Sequence, residues 1–341
     1  MSERLNIPAQ ALPGYFESAR KKGLVNACFE LAGLEPSVYF KQRGGNEAGH
    51  QGVLFELGSA VSILVDSLDY HNGEQMTAFS KALGAYADLT EIIPFKSVDE
   101  SNVVNSLTAL TKSVVDTKPV LLPFVMCPDV DFHEGRLSTN LSDSRKKEID
   151  LVSKAIEIFK KHEIEPSLRL ILGNDWFHPL VRQSQEDPSS VEVKDIEQNL
   201  LSLKEEVAGV VDCCGIDLIT TLPGFQEYQR TFEHIKTKLK SDEQWKKVAK
   251  TYQEKAKGKR SMYYQTLGES QREEVATDDV ALYVATAKLL VSMIDSEVET
   301  GKVSSGIILA MESDPSSLAR FYLDGGLSAS IINLGTRYEN N

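Results

Sequence analysis

A chain of 341 residues, 41% hydrophobic and 26% charged, is long enough for one large domain or two ordinary ones and apolar enough to build a core throughout. Its formal net charge of -13 argues against a general nucleic-acid or anionic-membrane binder and leaves room only for a local basic patch. Cys28, Cys127, Cys213 and Cys214 have no metal-ligand spacing, no apolar run approaches the roughly 18 residues of a membrane span, and the N-terminus lacks a charged-then-apolar signal pattern, so we expect a soluble cytoplasmic protein with reduced thiols.

Residues 1–117 read as a helical N-terminal region. Tyr15 to Ala32 has a helical pattern interrupted by Gly23. Val53 to Leu68 places Leu54, Leu57, Val61, Leu64, Val65 and Leu68 on one helical face, and Gln75 to Leu89 and Val103 to Val115 follow suit. The glycine-rich run from Arg43 to Gly52 opens the second helix, where backbone N–H groups can cradle a phosphate. It lacks the Lys-Ser/Thr pair of a P-loop and reads as a plain loop.

Residues 118–341 change texture. Pro119 to Met126 is a continuous apolar run, as a strand covered on both faces should be. A helix follows from Ser142 to His162, then a strand from Leu168 to Leu172, a helix from Val193 to Val207 and a strand from Ile216 to Thr221. Phe225 to Tyr264 reads as one long helix with a break and capping box at Ser241-Asp242-Glu243-Gln244. Thr277 is expected to cap a helix from Asp278 to Ser296. Strands are expected at Gly306 to Met311 and Ser328 to Leu334, with a short helix from Asp314 between them. Strands alternating with helices imply a parallel sheet, and five strands are too few for an eight-stranded barrel. The expected fold is therefore α/β: an open, mostly parallel Rossmann-like sheet with helices on both faces, after the helical N-terminal region.

Ligands of open parallel sheets bind beyond the strand carboxyl ends, so the residues after each strand are the candidates. These are Cys127, Asp129, Asp131 and His133 after the first strand, and Asn174, Asp175 and His178, with Arg182 a turn later, after the second. Thr220 and Thr221 follow the third, and Glu312, Ser313 and Asp314 the fourth. Such a polar, mainly acidic rim suits an amine or polyhydroxyl ligand, or a general base, although Asp after a strand also commonly caps a helix. Asp129, Asp131 and His133 alternate as metal ligands could, but no His-x-x-x-His or Cys-x-x-Cys pair accompanies them. Without that pair no metal is expected, without a Gly-x-Gly-x-x-Gly fingerprint no dinucleotide cofactor, and without a Gly-x-Ser-x-Gly elbow no Ser-His-Asp triad, so no cofactor is expected.

Between Lys236 and Arg260 stand ten basic and three acidic residues. Lys246, Lys250 and Lys257 fall close on one helical face beside Lys247, with Trp245 and Tyr252 interleaved. Such a face either holds RNA phosphates or is simply solvated. Arg260, Tyr263 and Tyr264 follow, with Glu269, Glu273 and Glu274 beyond, in a pattern that suits an amino-acid carboxylate or amine.

Leu122-Pro123-Phe124, and Asp175-Trp176-Phe177-His178-Pro179 running into Leu180-Val181, resemble strands of the isocyanide synthase family. The basic 236–260 segment with Tyr263, Tyr264 and Glu269 is similar to the aminoacyl-tRNA-binding helix and the Tyr and Glu of the cyclodipeptide synthase family. The chain departs from the first family in having Gly173-Asn174-Asp175 for its Ser-Asp-Gly loop, and from the second in lacking a recognisable Gly-x-Ser nucleophile strand. Both resemblances imply a Rossmann-like biosynthetic enzyme that uses an amino acid without a dinucleotide.

The expected function is group transfer on an amino-acid-derived substrate, aminoacyl esters included, by a transferase with its pocket at the strand carboxyl ends. Asp175, Tyr264 and Glu312 are the candidate catalytic residues. Asp129, Asn174, His178, Arg182, Arg260 and Tyr263 are the candidate substrate contacts. Lys246, Lys247, Lys250 and Lys257 are the candidate contacts to transfer-RNA phosphates. The alternative is a non-catalytic binding or regulatory protein whose helical region docks a partner.

Overall fold

The computed structural model describes residues 12–39, 50–68, 72–92, 100–126, 130–131, 136–137, 143–173, 198–201, 204–205, 215–247, 250, 267–310 and 330–334. The chain begins with helices α1 (Leu12–Leu31), α2 (Pro36–Tyr39), α3 (His50–Leu64), α4 (Gly73–Ile92) and α5 (Glu100–Asp116). Strand β1 (Val120–Met126), the short strands β2 (Val130–Asp131) and β3 (Arg136–Leu137), helix α6 (Asp143–Lys161) and strands β4 (Pro166–Leu172) and β5 (Gly215–Leu218) come next. Helices α7 (Phe225–Ser241) and α8 (Glu269–Glu299) precede β6 (Ser305–Gly306), β7 (Ile308–Ala310) and β8 (Ile331–Asn333).

The main sheet runs β5-β4-β1-β7-β8, with β6 also on β1, and every pairing in it is parallel. Taking β6 and β7 as one interrupted strand, the order is third, second, first, fourth, fifth. That is the order of a doubly wound sheet, which reverses direction between β1 and β7. The expected Rossmann-like α/β architecture is the one observed.

Alternation along the strands explains why both faces are covered. Val120, Leu122, Phe124 and Met126 of β1 join Leu168, Leu170 and Leu172 of β4 in a core with α1, α3, α4, α5 and α6. The intervening Leu121 and Ile171 face the other way, into a cluster with Tyr228 of α7 and Leu282, Leu289, Leu290 and Met293 of α8. On that second face Arg169 crosses from β4 to β5 and α8: its Nε donates to Asp217 at 2.7 Å and its Nη1 to Glu297 at 3.0 Å. The hydrogen bond to Asp217, then the fields of both carboxylates, outweigh burial and hold the guanidinium firmly protonated.

Several boundaries differ from the sequence expectation. Helix α8 starts at Glu269, so Thr277 is not a cap but sits buried inside it, donating its hydroxyl to the Glu273 carbonyl at 2.8 Å. The Gly268 N–H is satisfied instead by Gln271 Oε1 at 3.0 Å. The break at Ser241 is present, but Asp242 does the capping, accepting the Gln244 N–H at 2.8 Å, while the Ser241 hydroxyl turns back to the Thr237 carbonyl. Strand β5 ends at Leu218 because Ile219–Thr221 tightens into a 3-10 turn before Gly224, which takes a positive φ of 89° to start α7. The fourth strand is interrupted at Ile307, and the β2–β3 antiparallel pair was not anticipated. Residues 198–201 and 204–205 are helical within the expected 193–207 helix, and the short helix expected from Asp314 lies outside the described residues.

Candidate functional site

The parallel register makes the central strand ends level. Met126 of β1 is opposite Leu172 of β4, which is opposite Leu218 of β5, and Ala310 of β7 is opposite Asn333 of β8. Backbone bonds continue the pairing one residue further: Gly173 N–H donates to the Met126 carbonyl at 2.8 Å, and Leu334 N–H to the Ala310 carbonyl at 2.7 Å. All exits therefore leave from one edge, and the β1 and β7 exits flank the point where strand order reverses. In doubly wound sheets that point is the ligand crevice.

Most of the predicted site residues are not among the described ones. Asp129, Asn174, Asp175, His178, Arg182, Lys257, Arg260, Tyr263, Tyr264 and Glu312 lie outside the described residues, as do Cys127, His133, Ser313 and Asp314. Asp131 is paired in register with Arg136 across β2–β3. Thr221 donates its hydroxyl to the Leu218 carbonyl at 2.8 Å, so it serves the turn after β5. Among the described residues no three His, Cys, Asp or Glu side chains gather as metal ligands would, and no helix is long and apolar enough to cross a membrane. Burial pushes the Cys28 thiol up to about 11, which leaves it a poor nucleophile at neutral pH.

The lysine run proves to be partly neutralised from within. Lys236 Nζ lies 2.6 Å from Asp278 Oδ1 and Lys240 Nζ 3.8 Å from Glu274 Oε1, both carboxylates belonging to α8. Lys238 Nζ lies 5.7 Å from the centre of the Trp245 ring, within cation–π range. Lys246 donates to Glu243 at 2.8 Å, a bond that raises its pKa. Of the four predicted phosphate contacts, Lys247 and Lys250 are exposed. The first part of the run thus fastens α7 to α8, and the exposed charge begins near Lys246.

Helix length contributes a feature that periodicity alone did not suggest. Helix α8 has 31 residues, about 46 Å at the usual rise, whereas the seven residues of β1 span about 23 Å. The excess shows in the packing. Ile235 and Leu239 of α7 pack with Val280, Ala281 and Val284 of α8 in a cluster that contains no sheet residue. Because α8 leads into β6 through a short turn, it runs opposite to the strands. Its N-terminal half, with the end of α7, therefore stands above the carboxyl edge as a wall beside the strand exits.

This geometry defines an open, parallel, doubly wound α/β protein with a helical hairpin rising over the carboxyl edge of its sheet. No protein-family model and no curated protein matches the chain. Among solved structures the chain is similar to a cyclodipeptide synthase from Candidatus Glomeribacter gigasporarum bound to Phe-tRNAPhe. The identity is 13% over 66% of this chain and 91% of that one, with a TM-score of 0.36. At that score the likeness carries no argument about activity.

Proposed function

We propose that the protein is a group-transfer enzyme acting on an amino-acid-derived substrate at the carboxyl edge of its sheet. The observation that carries this reading is the strand order, which puts the reversal point between β1 and β7. Asp129 shortly after β1 and Glu312 shortly after β7 are the acidic residues the sequence supplies on the two sides of that point. Asp175 serves as base or amine ligand, Arg260 takes a carboxylate, and Tyr264 donates a proton or a hydrogen bond to the group being transferred. Asn174, His178, Arg182 and Tyr263 complete the substrate contacts. The exposed Lys247 and Lys250 support an additional phosphate-bearing partner of the transfer-RNA type.

The test is direct. The full chain is incubated with the twenty free amino acids, and separately with a mixture of aminoacyl-tRNAs, and new products are sought by mass spectrometry. Product formation that disappears in Asp175→Asn, with the melting temperature unchanged, is the expected result. A large loss of stability in Asp175→Asn would make that residue a structural cap. No product with either mixture would favour the second reading, a non-catalytic protein that docks a partner on its helical region, where Leu31, Val38 and Ile63 are 61%, 40% and 47% exposed.

A further inference from the structure

We draw no further inference here: the strongest candidate, the surface of exposed apolar side chains that Leu31, Val38 and Ile63 present on the mutually packed helices α1, α2 and α3, carries none because nothing in the structure shows what covers it.

Discussion

Asn102 of α5 grips Ile331 of β8 with both halves of its side-chain amide. Its Nδ2 donates to the Ile331 carbonyl at 2.6 Å, and its Oδ1 accepts the Ile331 N–H at 2.8 Å. Ile331 faces away from β7 at this point, because Ser330 supplies the carbonyl that pairs with Ile308. The amide thus does for the sheet margin what another strand would do, and it ties the N-terminal helices to the last strand across 229 residues of sequence. Asn102→Ala strips a buried donor and a buried acceptor of their partners, so a loss of about 2–4 kcal/mol is expected, read from urea unfolding midpoints. A loss below about 0.5 kcal/mol would mean that water replaces the amide.

Gly84 sits in the middle of α4 against His162. A Cβ at that position would lie 2.8 Å from His162 Cε1, and the ring is held from its other side by Asp88 Oδ2 at 2.8 Å. Helix propensity alone makes Gly→Ala stabilising by about 1 kcal/mol. Here overpacking should win, and Gly84→Ala is expected to destabilise by about 1–2 kcal/mol. Adding His162→Ala to Gly84→Ala should recover part of the loss. A melting temperature that rises on Gly84→Ala alone would contradict the contact.

Asp88 accepts from both Lys161, at 2.7 Å, and His162. Burial raises its pKa, but the hydrogen bonds and charges of those two partners outweigh it and hold the carboxyl below the usual range. A depressed folded-state pKa stabilises the fold above the unfolded value of about 4, and that contribution is lost as pH falls through the folded value. The stability gap between wild type and Asp88→Asn should accordingly close as pH falls below about 4. Urea midpoints at successive pH values measure it. A gap that widens in acid would reverse the sign.

The exposed Lys247 and Lys250 offer a test of the proposed nucleic-acid partner. Replacing Lys246, Lys247, Lys250 and Lys257 together by Glu should abolish transfer-RNA binding at low salt. Each lost phosphate contact should flatten the salt dependence by about one unit of slope. Melting should barely change, since exposed positions such as Lys247 and Lys250 cost little to substitute. Equal gel shifts for wild type and variant, or none for either, would leave these residues as a solvated face.

The apolar runs in Val120 to Met126 and Leu168 to Leu172, the helical spacing in α3 through α6 and the alternation of the two patterns determined the α/β class by themselves. A strand buried on both faces and a helix buried on one are properties of local sequence. The ends of β1 at Met126 and β4 at Leu172 were legible for the same reason, since an apolar run that stops abruptly marks where the backbone leaves the sheet. Strand order was not legible, because pairing between β1 and β7 joins residues nearly two hundred positions apart and leaves no local trace. Nor was the start of α8: Thr277 looks like a cap in isolation, and only packing against α7 and the sheet shows it to be interior.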